Sequence, residues 1–127
     1  MLHIIKSKLY IYSFIFWVNS FIITINYSSA LCIIEWKKSD KLKKTLSLTY
    51  DAPVQLCAYL GALNSRKEYH NNPIRNGIVV VAYSDGSPAN LFQLNENDMK
   101  KYWKVWVTRL QEYWIRYRDD TLPKEAI

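Results

Sequence analysis

The sequence predicts an α+β protein in which an N-terminal membrane segment precedes a small antiparallel sheet of about five strands. One C-terminal amphipathic helix packs on that sheet. Three patterns support this class: residues 9–34 carry no charge, residues 78–81 form a run of β-branched side chains, and residues 99–117 place apolar side chains at helical spacing. With 127 residues, the chain has room for one compact domain and one membrane segment.

The uncharged N-terminal segment is long enough to reach through a membrane. At 1.5 Å per residue, its 26 helical residues would span roughly 39 Å, against roughly 30 Å for the hydrocarbon core. Lys6 and Lys8 precede the segment, and Lys37 and Lys38 follow it. Dense positive charge favours the cytoplasmic side. We therefore expect a tilted helix or a short hairpin turning near residues 19–20, with the following domain in the cytoplasm.

A cleaved secretory signal is the alternative interpretation of the same residues. Residues 1–30 would then form the signal peptide, with a small-residue cleavage site at Ser28-Ser29-Ala30. Export would place Cys32 and Cys57 in an oxidising compartment, where they would form one disulfide. On this interpretation the protein is a small periplasmic inhibitor or immunity factor.

The segment after the anchor is a basic linker. The chain carries 17 Lys and Arg against 11 Asp and Glu, a formal net charge of +6. Near an anionic membrane surface each basic residue contributes about 1 kcal/mol of attraction. We expect contact with the membrane surface from Lys37, Lys38, Lys41, Lys43 and Lys44. The predicted divisions are thus an anchor at residues 1–36, a linker at 37–44 and a soluble domain at 45–127.

Alternating side chains predict strands in the domain. Residues 45–50 and 54–60 alternate with period two on either side of a turn at 51–53, which indicates an antiparallel hairpin. Residues 65–70 are a weaker third strand. Residues 77–83 predict the strongest strand, and residues 90–94 pair with it after a turn at 85–88.

A helix follows the last strand. Asn95 or Asn97 can cap it, and Glu96 with Asp98 places negative charge at its N-terminus. Its apolar side chains fall within a stripe about 120° wide. We expect Trp106 and Leu110, at the centre of that stripe, to be buried against the sheet.

No motif for catalysis, for metal binding or for a cofactor is evident. The sequence lacks nucleophile-elbow, phosphate-loop, dinucleotide and zinc-protease signatures. Asp119 and Asp120 lie beyond the helix, and neither Cys57 nor His70 is recommended as half of a nucleophilic pair. The basic side chains are spread around the helix, which argues against nucleic acid. These features predict a non-enzymatic, protein-binding module with no cofactor.

The soluble half resembles the YgfX-like family of small inner-membrane proteins, the CptA component of a toxin–antitoxin pair. The resemblance lies in residues 46–50 and 78–83, the turn 84–86, residues 91–98, and Tyr102-Trp103-Lys104-Val105-Trp106. It implies a location at the bacterial inner membrane and inhibition of cell division. It further implies partners like the cytoskeletal proteins FtsZ and MreB, and a small SdhE-like protein called CptB.

Overall fold

The computed structural model describes the backbone of residues 11–17, 20–27 and 30–121 and the side chains of residues 30–121. The helices and strands, in chain order, are β1 (Ile11–Trp17), β2 (Ser20–Tyr27), β3 (Ala30–Ser39), α1 (Ala52–Asn64), β4 (Asn76–Tyr83), β5 (Asn90–Leu94) and α2 (Glu96–Arg118). Two short 3₁₀ turns, Leu46–Thr49 and Lys67–Tyr69, flank α1.

The strands follow one another across the sheet in chain order, from β1 to β5. Strands β3 and β4 are parallel, and the other neighbours are antiparallel. Parallel neighbours require a crossover connection, which α1 provides here. The three strands β3, β4 and β5, together with the two helices, form the part of the fold whose packing is described.

Alternate residues of β3 and β4 point to opposite faces of the sheet. The face toward the helices carries Ile33, Val79 and Val81, which pack with Leu56 of α1 and Met99 of α2. The other face carries a second apolar cluster, formed by Cys32, Ile34, Ile78 and Val80. Burial on both faces explains why β4 is a nearly continuous apolar run.

The predicted antiparallel sheet at residues 45–94 is wrong. Of its five strands, only those at 77–83 and 90–94 exist, as β4 and β5. Residues 46–49 form a 3₁₀ turn, and residues 54–60 lie in α1. Pro53, taken as part of a turn, occupies the first turn of that helix, where a missing backbone N–H costs nothing.

The predicted N-terminal membrane helix is not found either. Residues 11–17 and 20–27 form β1 and β2, and β3 runs continuously from residue 30 to residue 39. Among the described residues, no helix combines the length and the apolar character that crossing a membrane requires. Asn19 of the predicted turn near residues 19–20 and Ser28-Ser29 of the predicted cleavage site Ser28-Ser29-Ala30 lie outside the described residues, whereas Ser20 begins β2 and Ala30 begins β3. The domain boundaries at 36/37 and 44/45 stay predictions.

The C-terminal helix is present, and Asn95 caps it. The Asn95 side chain accepts hydrogen bonds from the backbone N–H groups of Asn97 and Asp98, and the Asp98 carboxylate accepts one from Asn95. Met99 is the residue of α2 that is buried. Trp103 lies on Gly61 of α1, where an added Cβ would come within 2.5 Å of the indole ring.

The prediction that α2 forms a lid centred on Trp106 and Leu110 is wrong. Trp106 is half-buried and Leu110 is exposed, because the buried and half-buried residues of α2 end at Val107. From residue 108 to residue 121 every residue is exposed, including the ring cluster of Tyr113, Trp114 and Tyr117.

Candidate active site at the end of strand β3

A charged side chain lies in the core of the described structure. Glu35 has no solvent exposure, and it occupies a position of β3 that pairs with the equally buried Val79 of β4. Removing a carboxylate from water is costly unless a partner compensates it. A fully buried Glu at this position is therefore a feature that packing alone does not explain.

Lys37 supplies the compensating charge. Residues two apart in a strand point to the same face, so Lys37 follows Glu35 along the helix-facing side of β3. Its ammonium nitrogen lies 2.8 Å from Glu35 Oε1. Neither carboxylate oxygen has a hydrogen-bond partner among the described residues, so Oε1 is compensated by this ion pair alone, and Oε2 has no ion pair among them. The carboxylate therefore keeps one oxygen available for another ligand.

Helix α1 positions the lysine. The Lys37 ammonium group donates a hydrogen bond to Gln55 Oε1 at 2.5 Å, and Gln55 Nε2 donates to the Tyr59 hydroxyl at 3.0 Å. Gln55 and Tyr59 are four residues apart, so they lie on one face of α1. These contacts form a network from Glu35 through Lys37 and Gln55 to Tyr59. Residues of both β3 and α1 therefore hold the two charged groups in place.

The sheet is more open beyond this point. The pairing between β2 and β3 ends at Ile34, whereas the pairing between β3 and β4 continues to Ser39. Lys37 is one-third exposed, and it lines a cleft of about 250 Å³. The buried carboxylate thus lies below an ammonium group that solvent and a ligand can reach.

The oxygen Oε2 fits a hard divalent cation. Mg²⁺ prefers oxygen ligands and is often held by one or two carboxylates together with substrate phosphates. Within residues 30–121, no cluster of three or more His, Cys, Asp or Glu side chains surrounds such an ion. The described residues therefore contribute one carboxylate, Glu35, to a site of this kind.

The residues singled out by sequence fall in different places. Lys37 belongs to the half-buried network with Glu35, and Lys43 lies beside Tyr50, while Lys38, Lys41 and Lys44 are exposed. Their contact with a membrane surface stays a prediction. Asp119 ends α2 and pairs with Arg118, and Asp120 follows it on the exposed surface.

The cysteines do not form the disulfide expected of an exported protein. Cys32 and Cys57 belong to the two clusters on opposite faces of the sheet, and no disulfide joins them. Cys57 donates a hydrogen bond to the Met99 carbonyl oxygen. Burial raises the pKa of Cys57 to about 11, so its thiol is protonated and unreactive at neutral pH.

Sequence reasoning missed Glu35, Gln55 and Tyr59. Glu35 falls within the predicted anchor at residues 1–36, and Gln55 and Tyr59 fall within the predicted strand at residues 54–60. A signal was present nonetheless. An apolar run, Leu31 to Ile34, ends directly in an acid and a lysine two residues apart, and an amide and a phenol follow at helical spacing.

Three similar vertebrate proteins are all mitochondrial genome maintenance exonuclease 1. The chain is 41% identical to the Mus musculus protein over 100 residues, which are 79% of this chain and 29% of that protein. It is 38% identical to the Homo sapiens protein over 98 residues, which are 77% of this chain and 28% of that protein. It is 41% identical to the Xenopus tropicalis protein over 87 residues, which are 68% of this chain and 25% of that protein. The matched residues span 25% to 29% of the length of these relatives. No family model matches the chain.

These relatives correct the functional predictions. The resemblance to the YgfX-like family is wrong, and so are the location at a bacterial inner membrane and the part in a toxin–antitoxin system or in cell division. The FtsZ-like, MreB-like and SdhE/CptB-like partners were implied only by that resemblance, so this prediction is wrong too. The prediction of a non-enzymatic binding module and the argument against nucleic acid are wrong as well, because the relatives are exonucleases. The prediction against nucleic acid considered only the basic side chains of α2 and did not consider those at the end of β3.

Proposed function

We propose that this chain carries part of the active site of an exonuclease, in which Glu35 and Lys37 act on a phosphodiester bond of nucleic acid. The observation that carries the proposal is the fully buried Glu35 carboxylate, with one oxygen paired to Lys37 and the other without a partner. The similarity to exonucleases over more than three-quarters of the chain supports it.

Lys37 is suited to hold the scissile phosphate. Hydrolysis of a phosphodiester adds a water oxygen to phosphorus and breaks a phosphorus–oxygen bond, while negative charge builds on the phosphate oxygens. A preorganised ammonium group close to those oxygens stabilises that charge more in the transition state than in the ground state. Gln55 and Tyr59 keep the ammonium group in place, so little reorganisation is needed during the reaction.

Glu35 is suited to a different task. Its unpartnered Oε2 is the oxygen that would hold a divalent cation, and a bound cation would supply an activated water and further stabilisation of the phosphate charge. Lys37, held at 2.8 Å from Oε1, compensates the carboxylate charge and keeps the carboxylate oriented. Of these two side chains on one strand, Glu35 would thus bind the cation, while Lys37 holds the phosphate and orients the carboxylate.

The test is a nuclease assay on the full chain with an end-labelled single strand and Mg²⁺. We expect the unmodified protein to release nucleotides, and we expect Glu35→Gln to lower the rate by about 100-fold or more, since a lost catalytic group typically costs 10²–10⁴-fold. Glu96→Gln is the matched control, because the Glu96 side chain on α2 is 43% exposed, whereas that of Glu35 is fully buried. Equal rates for Glu35→Gln and the unmodified protein would refute the proposal.

A further inference from the structure

A cleft beside Lys37 combines an aromatic ring with basic side chains. Its lining includes Lys37, Lys38 and Lys43 together with Thr49 and Tyr50. Tyr50 directly precedes Asp51, the N-cap residue of α1, whose carbonyl oxygen accepts a hydrogen bond from the Gln55 backbone N–H. The cleft is therefore connected through one turn of helix to the residue that positions Lys37.

Tyr50 has the properties of a ring kept for contact with a ligand. It is 78% exposed, the largest exposure among the exposed large hydrophobic side chains of the described residues. Its backbone has φ 54° and ψ −115°, a conformation that an aromatic residue rarely adopts. Such strain costs of order 1–3 kcal/mol and is concentrated at binding and catalytic sites. Glycine would adopt this conformation without cost. A tyrosine at this position therefore carries a conformational penalty that its ring must offset by another contribution.

Lys43 is held next to that ring. Its ammonium nitrogen lies 4.8 Å from the centre of the Tyr50 ring. The Lys43 backbone N–H donates to the Tyr83 hydroxyl at 2.9 Å, and that hydroxyl donates to Asn90 Oδ1 at 2.8 Å. Strands β4 and β5 thereby anchor the segment that carries the lysine, and the ammonium group stays at the cleft.

We propose that this cleft is a nucleobase subsite, in which an unpaired base stacks on Tyr50 while Lys43 and Lys38 neutralise the flanking phosphates. A base can stack on a protein ring only when it has left its own stack, so the ligand is a single strand. Stacking platforms combined with basic grooves are the general means of holding single strands without reading their sequence. The subsite rests on the proposed function, because its purpose is to bring the neighbouring phosphodiester to Lys37.

The test measures binding and cleavage separately. The binding probe is a short phosphorothioate oligodeoxynucleotide that resists cleavage and carries 2-aminopurine, whose fluorescence falls when the base stacks. We expect Tyr50→Gly to weaken binding by about 5- to 150-fold and to abolish the quenching, because one stacked base contributes roughly 1–3 kcal/mol. We expect Tyr50→Trp to retain both.

Three controls make the result specific. Tyr50→Gly should unfold at an equal or higher temperature than the unmodified protein, which separates loss of binding from loss of folding. Lys101→Ala removes an ammonium group that lies 5.5 Å from the Tyr102 ring on α2, and it should bind the strand normally, whereas Lys43→Ala should not. Glu35→Gln should bind the probe like the unmodified protein while failing to cleave an ordinary strand.

The outcomes that overturn the subsite are distinct from those that overturn the exonuclease. Undiminished binding by Tyr50→Gly, or no binding by the unmodified protein, refutes the subsite and leaves the Glu35 assay to decide the activity. Vesicles containing anionic lipid form a second arm. If they bind the protein through Lys43 and displace the strand independently of Tyr50, the cleft is a lipid-headgroup surface and the nucleobase subsite is refuted.

Discussion

Strands β3 and β4 are parallel neighbours, but at paired and equally buried positions β3 carries a charged side chain and β4 an apolar one. At one pair of facing positions, β4 places Val79 and β3 places Glu35, and neither side chain has solvent exposure. Two residues further on, Val81 of β4 faces Lys37 of β3. Valine at these positions contributes to the core, whereas a buried carboxylate needs a dedicated partner. The comparison separates residues kept for folding from residues kept for chemistry.

The largest effect is expected at Lys37. Replacing it with methionine keeps the volume but removes the charge, so exonuclease activity should fall by about 10²–10⁴-fold. Stability should also fall, by about 3 kcal/mol, because Glu35 would be left as an uncompensated buried charge. Urea unfolding of the single variant and of Glu35→Gln/Lys37→Met checks the cause. The double variant should regain most of the lost stability, and an equally unstable double variant would show that the charge was not responsible.

Cys57 gives the next largest effect, through alkaline pH. Its folded pKa of about 11 is above the ordinary value of 9.0, so the folded state holds its proton more tightly than the unfolded state. The resulting stability is complete below pH 9 and is lost as the pH rises to 11, by about 2–3 kcal/mol. Unfolding free energies of the unmodified protein and Cys57→Ala between pH 8 and 11 test this, since their difference should shrink with rising pH. A constant difference would contradict the prediction.

Val79 tests the other side of the comparison. Val79→Ala should lower the free energy of unfolding by about 2 kcal/mol, because two buried methyl groups are removed and a small cavity remains. Its exonuclease activity at a temperature well below unfolding should be within about twofold of the unmodified protein, because Val79 contributes no polar atom to the site. A loss of activity as large as that of Lys37→Met would mean that the two strands do not differ in role.

Gln55 gives the smallest effect. Gln55→Ala removes the hydrogen bond that positions the Lys37 ammonium group, and a bond to a charged group is worth roughly 1.5–3 kcal/mol. Because Lys37 keeps its pairing with Glu35, we expect the lower end, a loss of about tenfold in kcat with little change in KM. Tyr59→Phe, one bond further along the network, should lose less. A change confined to KM would indicate that Gln55 binds substrate directly.

The sequence was sufficient for some elements because their local signals agreed. The β-branched residues 78–81 form β4 as expected, and Asn95 with Asp98 starts α2 through its capping interactions. Helix α1 could not be predicted from the sequence, because apolar residues lie on almost every side of it and leave no distinct apolar face. In Val54, Leu56 and Leu60 a period of two is as visible as a helical period. The Pro53 signal then supported a turn and a helix start equally well.

The candidate site was missed for a physical reason as well. Glu35 and Lys37 are adjacent along one strand, but Gln55 and Tyr59 join them only through the crossover that makes β3 and β4 parallel neighbours. The uncharged segment before Glu35 matched a membrane helix in length, so the acid was read as the end of an anchor. Its burial in a sheet follows from the pairing with Val79. The local pattern shows an acid and a lysine two residues apart after an apolar run, but it does not show which strand lies beside them.

The central claim is that Glu35 is kept for catalysis and contributes nothing to stability. Its most direct test is one variant, Glu35→Gln, measured in two ways on the same preparation: the rate of nucleotide release in Mg²⁺ and the temperature of thermal unfolding. The substitution replaces a fully buried charge with a neutral group of the same shape, and the Lys37 it leaves behind is one-third exposed and still bonded to Gln55. We therefore predict an unfolding temperature equal to or higher than that of the unmodified protein. The rate should fall by about 100-fold or more. An unfolding temperature lowered by several degrees with the rate preserved would contradict the account, because Glu35 would then be a structural partner of Lys37 and not an active-site carboxylate.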